Sequence, residues 1–364
     1  MTVSDAEKLT LSEFPAAVSS CLEEFFNSKR DMVMEIDPIV SQAVTLLEDM
    51  VLGGGKRMRP MFAWTGYWGA KGHEAENPNA VLRAVSALEF IQACALIHDD
   101  IIDASDTRRG SPTVHRRVEA LHGTNDWKGD AADFGTGVAI LIGDLALSWA
   151  EEMLQTSGLS CEALARVREP WSAMKTEVIA GQILDISVES SGNEDPDIAE
   201  KVNRFKTAAY TIERPLHIGA ALADAPAPLI DAYRAFGHDI GIAFQLRDDL
   251  LGVFGDPSVT GKPAGDDLRE GKRTVLFAEA LKAADATDPA QAAALRAGIG
   301  ATADPKELAE LAGIIRELGA EDVVEKRIAE LTTSGLAHLD AADMPDKLRT
   351  SLHELAIRAT KRAV

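Results

Sequence analysis

Apolar residues along the chain recur at spacings of three and four. Val81, Val85, Leu88, Gln92 and Ala95 fall on one face of such a repeat, the mark of a helix packed on one side. The stretch "ELAELAGIIRELGAEDVVEKRIAELT" (307–332) follows the same rule. Runs of Val, Ile and Thr in strict alternation are missing, which predicts almost no sheet. The pattern is that of an all-α chain with helices of about 12 to 25 residues. Turn-forming residues gather at "LGGGKRMRP" (52–60), "HGTNDWKGDAADFGTG" (122–137), "VESSGNEDPD" (188–197), "FGDPSVTGKPAGDD" (254–267) and "ATDPAQ" (286–291), and these read as loops. None has the length of a domain linker, and there is no internal repeat. Residues 1–364 are therefore expected to form a single domain, the first ~20 as a flexible arm.

Composition narrows the class. Hydrophobic residues make up 46% of the 364 and aromatics only 5%, and the abundant alanine suits tightly packed helices. Acidic residues outnumber basic ones 58 to 37, for a net charge of −21. A phosphate backbone would repel such a chain, so no nucleic-acid partner is expected, and any basic cluster needs a reason. Cys21, Cys94 and Cys161 lie far apart without metal or redox spacing, as in a reduced cytoplasmic protein. The start "MTVSDAEKLT" is no secretory signal. The most apolar stretch, "AVSALEFIQACALI", is interrupted by Glu89 and Gln92, so no stable membrane insertion is expected.

The candidate chemistry begins at "LIHDDIIDASDTRRG" (96–110), where Asp99, Asp100, Asp103 and Asp106 crowd eight positions. Asp99 and Asp103, spaced i, i+4, share a helix face. Two carboxylates there repel, and at the C-terminal side of a helix they also oppose its dipole. A divalent cation between them reverses both effects, and hard oxygen ligands suit Mg²⁺ bridging to phosphates. His98 reads as packing or as support for the carboxylates. Arg108 and Arg109 follow, with planar forks that match phosphate oxygens. A salt bridge to Asp106 would account for only one of them. Carboxylates then arginines read as a site for a metal-bound phosphate ester.

"AFQLRDDLLGVFGDP" (243–257) repeats the arrangement, with Asp248 and Asp249 closing an apolar stretch and Gln245 one turn back. Two acidic helices facing each other can clamp several metals around a charged leaving group. "GGGKRMRP" sets Lys56, Arg57 and Arg59 after three glycines, where backbone can approach a ligand closely. It lacks the order of a P-loop. "GKPAGDDLREGKRT" (261–274) carries Lys262 and Lys272, and "FKTAAY" (205–210) carries Lys206 and Thr207 in an apolar helix.

In this order "GGGKRMRP", "LIHDDIIDASDTRRGSPTVH", "ILIGD", "GQILD", "FKTAAY", "FQLRDD" and "GKPAGDDLREGKRT" resemble the trans-isoprenyl diphosphate synthases over most of the chain. The resemblance implies antiparallel helices around a deep central cavity, a homodimer, and Mg²⁺-dependent joining of an allylic diphosphate to isopentenyl diphosphate. By the same resemblance, Asp99 and Asp103 bind two Mg²⁺ with Asp100 in support, and Asp248 holds a third with Asp249 nearby. Arg108, Lys206 and Lys262 contact the allylic diphosphate. Lys56, Arg59 and Arg109 bind isopentenyl diphosphate, with Gln92 where the family often has histidine, and Lys272 belongs to the substrate-binding set. The backbone of Lys206, with Thr207 and Gln245, faces the developing cation.

One departure is Gly252, which stands where the second DDxxD motif should end in aspartate; Asp256, one turn further, is a substitute to consider. A class I terpene cyclase shares the first motif, but its second would mix Asn, Ser or Thr, and Glu, and it would not need the glycine-lysine loop. A regulatory subunit would have lost more of the charged set. Ala95 and Cys94, four and five positions before Asp99, are small. In the family these positions help set the floor for the growing chain. Phe90 lies one turn deeper, about 13 Å from Asp99 along the axis. Small residues followed by one large one point to geranylgeranyl diphosphate (C20), with longer polyprenyl products second.

Overall fold

The computed structural model describes residues 6–108, 110–257 and 264–361. Its first helices are α1 (Phe14–Ile36), α2 (Pro38–Leu52), α3 (Met58–Gly69), α4 (Pro78–Ser86), α5 (Leu88–Ile102), α6 (Val114–Thr124) and α7 (Ala131–Gln155). The chain divides into two compact units: Met1–Arg168 with Ile218–Ala225, and Glu169–His217 with Pro226–Val364. Helix α8 (Cys161–Ser191) starts in the first and ends in the second.

In the first unit, helix boundaries follow local chemistry. Pro38 cannot continue α1, and the Asp37 side chain caps α2 by accepting from the Ile39 N–H at 2.9 Å. Asp130 opens α7 likewise, accepting from Ala132 and Asp133. Ala6, Phe14 and Val18 are buried, so the residues expected as an arm are packed down from Ala6 onward. The single apolar stripe expected from Val81 to Ala95 is broken at Ala87, where α4 gives way to α5. Val81, Val85 and Leu88 are buried as the stripe requires, while Gln92 and Ala95 are half-buried. The few aromatics are concentrated: the Phe90 ring lies 5.3 Å from both Phe25 and Phe26 and 6.2 Å from Trp149, which fastens α1, α5 and α7 together.

The sheet content among the described residues is one antiparallel pair, Thr107–Arg108 with Ser111–Pro112, in which Arg108 faces Ser111. Gly110, at φ 77°, takes the left-handed turn position.

The second unit is built on α9 (Pro196–Val202), a π-helix at Asn203–Glu213 and α11 (Ala227–Phe254); α10 (Arg214–Leu222) begins in it and from Ile218 belongs to the first. Ile242, Leu246, Leu250 and Val253 of α11 join Leu268, Phe277, Leu281, Val324 and Ile328 in one core. The long stripe at 307–332 is two helices, Pro305–Glu317 and Ala320–Asp340, parted by Gly319 at φ 75°. The π-helix is held between glycines. A Cβ on Gly181 of α8 would fall 2.3 Å from the Lys206 amide nitrogen, and one on Gly241 of α11 would fall 2.5 Å from the Ala208 Cβ. Helices that approach this closely fix the backbone of "FKTAAY".

Two helical segments are long and apolar enough to cross a membrane by length and composition. In Pro78–Ile102 the apolar window is 78% buried, as in a core helix, whereas in Ala131–Gln155 it is 28% buried.

Candidate active site

In the first unit, α5 delivers the carboxylates. Its last turn carries Asp99 and the buried Asp100, and Asp103 caps it, with its N–H donating to the Asp99 carbonyl at 2.8 Å. The i, i+4 pair thus sits at the negative end of a helix dipole. Arg108, on the first strand of the hairpin, answers this charge. Its Nε donates to Asp100 Oδ1 at 2.7 Å, and its Nη2 lies 2.7 Å from the same oxygen and 3.6 Å from Asp99 Oδ2. Burial pushes the Asp100 carboxyl up, against the pull of Arg108. Asp106 is paired with Arg116 at 2.8 Å. His98 serves packing: its Nε2 lies 3.1 Å from the Ile140 carbonyl, and its ring occupies the space over Gly143, where a Cβ would come within 2.2 Å.

The glycine loop leads two of its three cations into buried positions. Gly54 and Gly55, at φ 100° and 135°, bring the chain into α3. Arg57 then points into the core, its Nη1 donating to the Val51 carbonyl and pairing with the buried Glu89 at 2.5 Å. Lys56 is exposed, and Arg59 is buried in the first turn of α3. In the sequence Glu89 reads only as an interruption of the apolar stretch, because its partner lies far away in the chain.

In the second unit, Lys206 on the π-helix pairs with Asp185 of "GQILD" at 2.6 Å. Thr207 beside it is half-buried. On α11, Asp248 is half-buried and Asp249 is buried. Asp249 accepts from the Gln245 amide at 2.7 Å and from the Asn203 amide at 3.1 Å. Burial first, then the charge of Asp267, raise its carboxyl to about 7. Lys272 is paired with Glu270 at 2.8 Å and stands 3.9 Å from Asp267. Asp185, Asn203 and Asp267 join the site residues named from sequence. The hint for Asp185 and Asp267 was their place inside quoted motifs; Asn203 gave none. Arg109 and Lys262 lie outside the described residues.

Along α5, Cys94 and Ala95 are half-buried, and burial pushes the Cys94 thiol up to about 12. Phe90 is fully buried in its aromatic cluster. Nine positions before Asp99, it falls about half a turn round the helix from it, whereas Ala95 is nearly in line with Asp99.

The donors fit a hard divalent cation. They are all carboxylate oxygens, and among the described residues no three His, Cys, Asp or Glu side chains form a cage of their own. Mg²⁺ takes few protein ligands and completes its shell with water and phosphate oxygens.

Comparison with known proteins identifies the family. The polyprenyl synthetase family model matches residues 41–317. A crystal structure of a geranylgeranyl pyrophosphate synthase from Corynebacterium glutamicum, complexed with isoprenyl diphosphate and magnesium, superposes with a TM-score of 0.95 at 58% identity, covering 98% of this chain and 100% of that one. A geranylfarnesyl diphosphate synthase of Aeropyrum pernix is 35% identical over 82% of this chain and 88% of its own length. A (2E,6E)-farnesyl diphosphate synthase of Mycobacterium tuberculosis is 32% identical over 83% and 78%. The chain belongs to the polyprenyl synthetase family and is a trans-prenyltransferase.

Proposed function

We propose that the protein condenses isopentenyl diphosphate with allylic diphosphates in the presence of Mg²⁺ and releases mainly geranylgeranyl diphosphate. The observation that carries this is the end of α5, where Asp99 and Asp103 stand one turn apart with Arg108 held against Asp99 and Asp100. The 58% identity to a geranylgeranyl pyrophosphate synthase supports the product. The farnesyl and geranylfarnesyl relatives make chain length the quantity to measure.

When bound, Mg²⁺, three ions on this reading, would supply the positive charge that makes diphosphate a leaving group. Asp99, Asp103 and Asp248 would hold it. Asp100 positions Arg108, which with Lys206 and Lys262 takes up the remaining charge of the allylic diphosphate. Lys206 reaches this role from its pair with Asp185. Lys56, Arg59, Arg109, Gln92 and Lys272 bind and orient diphosphate groups, the first four that of isopentenyl diphosphate. The carbocation left by ionisation needs weak dipoles rather than nucleophiles. The Lys206 carbonyl, the Thr207 hydroxyl and the Gln245 amide oxygen supply them, and Asp249 fixes Gln245. The released diphosphate accepts the final proton.

Ala95, in line with Asp99, and Cys94 beside it set the depth available to the product, and Phe90 closes the helix beyond them. We place the enzyme in the cytoplasm as a homodimer, with no nucleic-acid partner and no membrane insertion. Ile140 and Leu141, 43% and 65% exposed on the apolar α7, form a face that a second copy would cover. Incubation of the chain with labelled isopentenyl diphosphate, C5, C10 or C15 allylic diphosphates and Mg²⁺, followed by chromatography of the dephosphorylated products, tests the reading. A dominant C20 alcohol is expected. A mainly C15 product overturns the chain-length assignment, and no elongation overturns the function.

A further inference from the structure

The sequence groups Arg57 with Lys56 and Arg59 after three glycines, but the structure gives it separate work. Gly53, Gly54, Gly55 and Lys56 are exposed, and Arg57, which follows them, is buried. Its guanidinium joins three helices. Nη1 donates to the Val51 carbonyl in the last turn of α2 at 2.7 Å and to Glu89 Oε2 of α5 at 2.5 Å. Nη2 donates to Ser19 Oγ of α1 at 3.3 Å. These donors are spent inside the protein, so a diphosphate at this loop would meet the cations on either side of Arg57.

Arg57 is unfavourable to folding in two respects. Its backbone is left-handed, at φ 49° and ψ 41°, which costs energy for any residue with a Cβ. The position ahead of a helix usually holds Ser, Thr, Asp or Asn in extended backbone, and the Arg57 side chain does not cap α3. Its ion pair is also buried, with side chains 3% and 6% exposed. Glu89 Oε1 is buried without a hydrogen-bond partner among the described residues. An apolar pair of similar volume would cost less. Strain and buried charge kept together at one residue point to geometry, not stability, as the gain. The turn at Arg57 leaves Lys56 exposed before it and places Arg59 in the first turn of α3 after it. Glu89 stands three positions before Gln92 on α5, so the pair also ties the loop to that helix.

We propose that Arg57 is a positioning residue for isopentenyl diphosphate: anchored on Glu89, Val51 and Ser19, it holds the left-handed turn that sets Lys56 and Arg59 in their places. It acts through these neighbours and does not itself touch the substrate. The inference rests on the roles given to Lys56 and Arg59 under the proposed function.

Steady-state kinetics with each substrate varied in turn, beside thermal melting, tests it. R57M/E89L removes both charges at similar volume and should stay folded, with a melting temperature near that of wild type. It should raise the KM for isopentenyl diphosphate roughly 10-fold, while kcat and the allylic KM change by less than about twofold. E89Q keeps the volume of the side chain and should show the same split in smaller measure; it carries the test if the double variant does not fold. A KM for isopentenyl diphosphate equal to wild type in the folded variants overturns the inference. So does an equal rise in both KM values with a lower melting temperature, which would mark a merely structural pair. Lys56→Ala keeps the two failures apart: if it too leaves the KM for isopentenyl diphosphate unchanged, the assignment of the loop falls and this inference with it.

Discussion

At the scale of single residues, the site gathers like charge at the end of one helix. Asp99 and Asp103 repel each other at the wrong end of a helix dipole, and Arg108 reaches Asp99 and Asp100. Removing either outer carboxylate should therefore cost turnover and not folding. Asp99→Ala or Asp103→Ala should lower kcat by about 1000-fold or more with the helical circular dichroism unchanged; near-normal activity at saturating Mg²⁺ would refute their role. This pair was legible in the sequence because both members lie on one helical turn. Glu89 and Asp185 were not, since their partners Arg57 and Lys206 arrive from other elements, and only packing reveals that an isolated acid has a cation opposite.

A second residue-level expectation concerns pH. Burial, then the nearby Arg214 and Arg234, hold the His217 imidazole down at about 4, so the folded protein keeps it neutral while the unfolded chain protonates near 6.5. The unfolded state then binds more protons between these values. The contribution is fully present above pH 6.5 and is lost as the pH falls towards 4, up to on the order of 3 kcal/mol. His217→Gln should flatten the fall of urea-unfolding stability across that window, and an unchanged slope would count against the assignment.

At the scale of elements, the proposed function divides the substrate chemistry between one loop and one helix. The loop ahead of α3 turns Arg57 inward and leaves Lys56 exposed. Lys56→Ala or Arg59→Ala should raise the KM for isopentenyl diphosphate several-fold more than the KM for the allylic substrate; equal effects on both would refute the division. On α5, Cys94→Phe or Ala95→Phe should shorten the product, with the larger effect at Ala95 because it lies nearer in line with Asp99. Phe90→Ala should lengthen the product if the aromatic cluster is the floor, and it should also cost about 3 to 5 kcal/mol of stability by opening a cavity. Product chromatography beside thermal melting separates the two effects. Periodicity predicted these helices but not their breaks at Ala87 and Gly319, because an apolar stripe continues in register across a single turn. The π-helix was equally hidden: its apolar spacing resembles that of an ordinary helix, and what distinguishes it is the contact with Gly181 and Gly241 from two other helices.

At the scale of the whole molecule, the all-α class was readable from the absence of alternation, and the family from the order of its motifs. The division of the contacts into two units was not, because no linker marks it and α8 runs through the boundary. The acidic excess gives the chain a reason to stay dispersed, and the exposed apolar residues of α7 give it a reason to pair. Leu141→Glu should shift the mass measured by light scattering from dimer to monomer; an unchanged dimer would place the contact elsewhere.

His98 joins that face to the chemistry. It precedes Asp99 by one position and holds the carbonyl of Ile140, whose neighbour Leu141 points outward. If the proposed homodimer forms across this face, specific activity should fall as the enzyme is diluted: the α7 segment on which His98 rests would lose its backing, and each molecule would work more slowly than it does in company.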